Sequence, residues 1–442
     1  MSHRIIILFS VLLSCLGSLW GQEATLFRNV RIFDGVEPDS PNGYVLVLGH
    51  KITKISTKPF DAPENCRILE GNGRILAPGF IDLHSHLCMQ MPKDRMDVNP
   101  TVTGALAAQA ARFYLESGFT TVRDAGGTSP DFAHAIDAGL IFGPRVFASG
   151  SMISQTGGHG DFRKGNAADW CGAGPHAVGA SELSILADGV DQTLTAVREN
   201  LRRGATQIKI MGGGGIASEN DPLYSLQSTP EEIRAAVQAA SDWGTYVMAH
   251  AYTADAVQRL IANGVQVIEH GHLIDDKTAR LCAEKGIVIS TQVSIFLKLA
   301  DLPGMTERNQ EKLTQVLQGM DQLMALIKKY KIKTGFGTDF VFGQYDQIGT
   351  EFSARARFFS NAEIMRQATS ESAQVIRLAG KLNRYGNFGE IREGWLADLV
   401  LLEGDPFSDI RILENPQQSV ALVMKDGQIV VDRTKPKGSD AN

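Results

Sequence analysis

The stretch RILAPGFIDLHSH, residues 74–86, decides how the rest of the chain is read. It is an apolar run that alternates like a strand and closes on two histidines one residue apart, His84 and His86. In a strand, residues i and i+2 point the same way, so both imidazoles can reach one ion. The same spacing also suits two ordinary polar residues that are hydrogen-bonded or solvent-facing on one side of a strand. The pair alone does not decide between these readings; its surroundings have to.

Downstream, the chain repeats a strand-then-helix texture. Seven further segments read as strands: FTTVRDAG (119–126), PRVFASG (144–150), TQIKIMG (206–212), TYVMAH (245–250), VQVIEH (265–270), IVISTQ (287–292) and KTGFGTD (333–339). Amphipathic helices lie between them. In STPEEIRAAVQAASDWG (228–244), Thr229 can cap, Pro230 suits the first turn and Glu232 completes a capping box. Alternation of this kind predicts parallel strands with crossover helices. Eight units predict an α/β fold, a (β/α)8 TIM-like barrel over residues 75–384, with its site where the strands' carboxyl ends meet. An open doubly wound sheet is the runner-up, without a GxGxxG after the first strand to support it.

Both chain ends read differently. ATLFRNVRIFDG and GYVLVLGHKITKIS near the start, and NFGEIREGWLADLVLLEGDP and ALVMKDGQIVVD near the end, are short strands with turns, including Gly49-His50 and Asp426-Gly427 as hairpin turns. Neither end makes a core by itself. Residues 23–74 and 385–435 are therefore expected to form one small β-sandwich domain together.

A chain of 442 residues with 43% hydrophobic residues can bury a large core. A net charge of −6, without a basic stripe, argues against a nucleic-acid partner and for a small-molecule substrate. Residues 1–22, with Arg4 ahead of an apolar run from Ile5 to Leu16, read as a secretory signal too short for a transmembrane span. Export to a periplasmic or extracellular space is expected, with ordinary cleavage near Gly21 favoured over a lipid anchor at Cys15. Cys66, Cys88, Cys171 and Cys282 form no CxxC pair, and their disulfide status is open. Self-association into a homo-oligomer is open too.

The polar, metal-competent residues at the predicted strand ends are His84, His86, Lys209, His250, His270 and Asp339. A barrel would bring all six to one rim. Four imidazoles suit zinc or a similar transition ion better than magnesium or calcium. Lys209, between Ile208 and Ile210, should point inward, where burial favours the neutral amine. A neutral amine can react with carbon dioxide to give a carbamate that bridges two cations; the plain alternative is a strand-end lysine reaching solvent or a substrate carboxylate. Asp339 can ligate a metal and act as general base, or it can cap the following turn.

Taken together, PGFIDLHSH, IKI with Lys209, AHA with His250, EHGHLID with His270, GTDF with Asp339 and the closing GEIREGWLADLVLLEGDP resemble the amidohydrolase superfamily, in its binuclear metal-dependent branch. The resemblance runs from about Ala24 to Arg433. It implies that His84 and His86 bind a first divalent ion, that carbamylated Lys209 bridges two ions, zinc by their donor set, that His250 and His270 bind the second, and that Asp339 ligates the first and shuttles a proton. The implied reaction is attack of a bridging hydroxide on a carbonyl, with Asp339 passing the proton to the departing amine. His272 and Cys88 match no ligand position and are read as structural.

ISQTGGHGD (153–161) and DPLYSLQSTPEEI (221–233) look like members that cleave dipeptides or N-acyl amino acids, of the Xaa-Pro dipeptidase-like kind. His159 is a candidate for polarising the carbonyl or holding a carboxylate, or else a turn residue between glycines. Tyr224 is a candidate for the substrate's terminal carboxylate. The run Gly212–Gly215 lacks the lysine and hydroxyl of a phosphate loop and is read as letting the chain pass close to the metals. The expected activity is dipeptidase- or carboxypeptidase-like amide hydrolysis. The rivals are a cyclic-amide hydrolase of the imidazolonepropionase kind, against which Lys209 argues, and a non-catalytic scaffold, against which the complete ligand set argues.

Overall fold

The computed structural model describes residues 23–38, 42–91, 100–163, 183–218, 221–301 and 305–434. The expected signal at 1–22, with Cys15, and Cys171 lie outside the described residues.

In chain order, β1 (Ala24–Ile32), β2 (Asn42–Leu48), β3 (Lys51–Ser56), β4 (Arg67–Glu70) and β5 (Ile75–Pro78) lead into β6 (Phe80–Ser85), β7 (Phe119–Asp124) and β8 (Arg145–Ala148). Then come β9 (Met152–Ser154), β10 (Ser184–Leu186), β11 (Ile208–Met211), β12 (Val247–Thr253), β13 (Val267–Leu273) and β14 (Val288–Ser290), and finally β15 (Leu399–Leu402), β16 (Val420–Lys425) and β17 (Gln428–Asp432).

Both ends of the chain meet in one eight-stranded sheet, ordered β17-β16-β15-β5-β1-β2-β3, with β4 beside β1. Its strands, including Ile75–Pro78 just past residue 74, pair into a single hydrogen-bonded sheet, a pairing that does not by itself show the two facing layers of the expected sandwich. Gly49-His50 and Asp426-Gly427 turn their hairpins as expected, with Leu48 opposite Lys51 and Lys425 opposite Gln428. Apolar side chains including Phe27, Val45, Val47, Leu76, Leu401 and Leu422 pack together on it.

The stretch 74–86 is thus two strands, not one. The chain leaves the terminal sheet at Gly79, whose N–H donates to the Asp398 carbonyl, and enters β6, which pairs in parallel with β7. Only glycine fits this crossing, because a Cβ there would lie 2.1 Å from Thr120 Oγ1. Arg145 on β8 ties the two sheets at the same place, reaching Asp398 and Asp426 at 2.5 Å each.

The middle of the chain forms two parallel sheets, β6-β7-β8 and β10-β9-β11-β12-β13-β14. They do not join into one closed sheet, and the eighth expected strand, 333–339, is not a strand. It does bond on both sides: Leu83 N–H donates to the Phe336 carbonyl and Asp339 N–H to the His84 carbonyl, both at 2.7 Å, while Ile289 N–H donates to the Lys333 carbonyl at 2.9 Å. Gly335, Gly337 and the left-handed Asp339 (φ 58°) break its ladder. Helices cover the parallel sheets. Pro230–Asp242 starts as its sequence requires, with Thr229 accepting from Glu232 N–H and the Glu232 side chain accepting from Thr229 N–H. Among the described residues no helix is long and apolar enough to cross a membrane.

Candidate functional site

Hydrogen bonds that leave the cavity fix the orientation of the histidines inside it. His84 Nδ1 lies 2.6 Å from Glu269 Oε2, and His86 Nδ1 lies 2.8 Å from the Gly126 carbonyl. Glu269 is ionised: burial raises its carboxyl, but Arg123 at 2.5 Å and then His84 outweigh this and hold it at about 2. Neither the carboxylate nor the carbonyl can donate, so both Nδ1 atoms do; burial lowers His84, whose neutral ring then carries a lone pair on Nε2, whereas burial at His86 is outweighed by Asp339 and Asp124, which raise it, so its Nε2 holds either a proton or a lone pair for a cation. The two Nε2 atoms face each other at 3.2 Å, and Asp339 Oδ1 lies 3.3 Å from one and 3.2 Å from the other. Three atoms of this kind at this spacing need a positive centre among them, a proton on His86 Nε2 or a metal ion in its place.

His270 extends the set. Its Nδ1 lies 2.8 Å from Gln292 Oε1, and its ring centroid is 5.0 Å from that of His84. Ligand-competent atoms of His84, His270 and Asp339 all lie within 4.8 Å of one another. His86, Lys209 and His250 line the same cavity, of about 120 Å³. The nitrogen-rich donor set with one carboxylate fits zinc or a similar ion. Both His270 (φ 76°) and Asp339 (φ 58°) adopt left-handed backbone, a strained conformation for non-glycine residues that concentrates at functional sites.

The electrostatics favour cation binding. Burial pushes His84, His250 and His270 below the ordinary imidazole value, keeping the rings neutral. Burial likewise lowers the amine of Lys209, which is 1% exposed. Burial would raise Asp339, but His84, His86 and Lys209 hold it ionised at about 2.

His159 lines the cavity and stacks on His250, with centroids 4.2 Å apart at 24°. Tyr224 is not brought to the cavity; it is 78% exposed on a loop. Tyr252, 3% exposed and stacked on His270, is the tyrosine that lines it. His272 is buried beside the cluster, its Nε2 3.2 Å from the Gln292 carbonyl and its ring 4.4 Å from Phe296. Cys88 and Cys282 are both buried in the main core and Cys66 is half-buried; none of the three forms a disulfide among the described residues. Burial pushes Cys282 up to about 12, which makes it inert.

Sequence reasoning passed over Arg123, Glu269 and Gln292, though all three lie within the quoted strand segments. The apolar wall also went unread: Met89, Met152, Met211, Phe162, Phe296 and Leu299 all face the cavity. A charged residue inside an otherwise apolar strand, such as Arg123 in FTTVRDAG, is the signal that could have found the buried pair.

The family model for the amidohydrolase family matches residues 75–430. Ochratoxinase from Aspergillus niger is 30% identical over 400 residues, covering 87% of this chain and 82% of its own. Among solved structures, a prolidase complexed with N-methylphosphonate-L-proline is 33% identical with a TM-score of 0.85, covering 92% of this chain and 99% of that one. A Xaa-Pro dipeptidase with bound methionine in its active site is 28% identical with a TM-score of 0.81, at the same coverage. With this breadth of agreement, spanning the strands that carry the histidine cluster, the chain belongs to the amidohydrolase family.

Proposed function

We propose that the protein hydrolyses the amide bond of a dipeptide or N-acyl amino acid. The observation that carries this is the trio His84, His270 and Asp339, whose atoms converge within 4.8 Å in a cavity with mostly apolar walls. The prolidase and Xaa-Pro dipeptidase likenesses point to the dipeptide class, and the likeness to ochratoxinase keeps substrates other than dipeptides in view.

In this reading His84, His86 and Asp339 would hold one divalent ion, His250 and His270 a second, and Lys209, as its carbamate, both. When bound, such ions supply Lewis acidity and an activated water. The chain's own residues do the rest. Asp339, ionised and set between the rings of His84 and His86, takes a proton on its carboxylate and returns it to the leaving amine. His159 holds the substrate's carbonyl or carboxylate from the far side of His250. The methionines and Phe296 exclude water around the side chain of the bound residue.

The same reading takes β6, β7, β8, β11, β12, β13, β14 and segment 333–339 as the wall of one eight-membered barrel, and the first 22 residues as an export signal. A cyclic-amide hydrolase with one ion is the second reading; the burial of Lys209 beside the histidines disfavours it.

The test is a screen of zinc-loaded and chelator-stripped protein against dipeptides, N-acyl amino acids and cyclic amides, with metal counted per chain. Release of a free amino acid only by the loaded protein, with two ions per chain, is expected. Turnover confined to cyclic amides, or a single ion at full activity, would overturn the proposal.

A further inference from the structure

Beneath His159 lies a buried polar cluster with no assigned role. His159 Nδ1 is 2.7 Å from Ser218 Oγ and 3.6 Å from Asp221 Oδ2. Asp221 is 2% exposed and accepts from Gly215 N–H at 2.8 Å and from Gln227 Nε2 at 3.2 Å. Its other oxygen, Oδ1, has no hydrogen-bond partner. Lys312 approaches that oxygen at 3.8 Å while donating to the carbonyls of Gly215 and Ser218. Gln227 also accepts from His159 N–H at 2.8 Å, so one side chain grips both His159 and Asp221.

Geometry leaves His159 little freedom. Its ring lies against the backbone of Gly215, where a Cβ would come within 2.0 Å of it, and its other face stacks on His250. The glycine run therefore seats this imidazole. Ser218 Oγ donates to the Gly215 carbonyl at 3.3 Å and is therefore free to accept from Nδ1 at 2.7 Å, and the ionised carboxylate 3.6 Å from Nδ1 favours, by its charge, the ring form that carries hydrogen there. Nε2 remains as the nitrogen available to substrate.

We infer that Asp221, braced by Lys312 and assisted by Ser218, is a positioning residue that fixes the tautomer and orientation of His159. This rests on the proposed hydrolase reading only for its kinetic consequence; the tautomer is a property of the protein alone.

Two readouts test it. In zinc-loaded protein labelled with ¹⁵N-histidine, the His159 ring signals are identified by their loss in His159→Gln. Hydrogen on Nδ1 is expected in the parent, with a mixed population or a shift to Nε2 in Asp221→Asn. Hydrogen found on Nε2 in the parent, or a ring unchanged in Asp221→Asn, would overturn the inference; if that variant does not fold, the parent's tautomer still decides. On a substrate found in the screen, Asp221→Asn should lower kcat about ten- to a hundredfold at unchanged metal content. Lys312→Met should give a smaller loss, and an equal fall in metal content would instead mark a structural role. Failure to find any substrate would weaken the hydrolase reading while leaving the tautomer result standing.

Discussion

Replacing Glu269 by glutamine should switch off His84 as the proposed metal ligand without altering that residue itself. Glu269 accepts from Arg123 Nη2 at 2.5 Å through one oxygen and from His84 Nδ1 at 2.6 Å through the other, with both carboxylate and guanidinium fully buried. Glutamine keeps the shape but turns one of those oxygens into an NH₂ group. Guanidinium has only donors, so the NH₂ must face His84. His84 Nδ1 must then accept, a state that Gln292 Nε2 at 3.2 Å also favours. The ring hydrogen moves to Nε2, the atom that faces His86 and Asp339, and the lone pair needed for a metal is lost. Partners of this kind are typically worth about 10–100-fold in metal affinity, or about 1.4–2.7 kcal/mol. Chelator competition with zinc measures this directly, and ¹⁵N signals of the His84 ring report the tautomer. A zinc Kd within about twofold of the parent, in a folded Glu269→Gln protein, would refute the reasoning.

Other substitutions probe separate parts of the argument. Asp339→Asn should fold and retain metal yet lose at least about a hundredfold in turnover, and near-parent rates would remove Asp339 from proton transfer. Lys209→Ala should lower metal occupancy; a variant still loaded with two ions would exclude the carbamate bridge. Asp221 is held at about 2 because His159, Ser218 and the Gly215 N–H together outweigh the rise from burial. Its folded value is depressed, so its stabilisation is complete above the unfolded value of 3.8 and is lost as pH falls through about 2. Urea midpoints of parent and Asp221→Asn, compared at pH 5 and pH 2, should therefore converge by about 2 kcal/mol; a pH-independent gap would contradict the linkage. Arg145→Met leaves Asp398 without its buried partner and should cost about 3–5 kcal/mol in thermal or urea unfolding, with a loss below about 1 kcal/mol arguing against the tie between the sheets.

Strand periodicity and strand-end chemistry were legible from the residues themselves, because a buried parallel strand needs an apolar run and a metal needs nitrogen or oxygen at its end. What lay beyond reach depends on departures from regular geometry. Strict alternation sends Glu269 and His270 to opposite faces of β13, yet both reach His84; the left-handed backbone at His270 breaks the alternation. The apolar run 74–86 gives no hint that it spans two sheets, since the change of sheet turns on the contact between Gly79 and Thr120. Segment 333–339 carries Asp339 beside His84 by isolated hydrogen bonds, which periodicity does not register. Tyr224 and Tyr252 look alike as letters, and only packing separates the exposed ring from the one against His270.

The crossing at Gly79 has a consequence for assembly. The residues just ahead of β6 are paired with Arg31–Ile32 on one side and with Leu399–Leu402 on the other. The strand bearing His84 is therefore anchored by a segment made more than 300 residues later, and that pairing closes a very long loop. During synthesis the first histidine would wait for the last strands before its base is fixed. A chain shortened at β15 would thus lose the proposed metal site from the opposite end of the sequence.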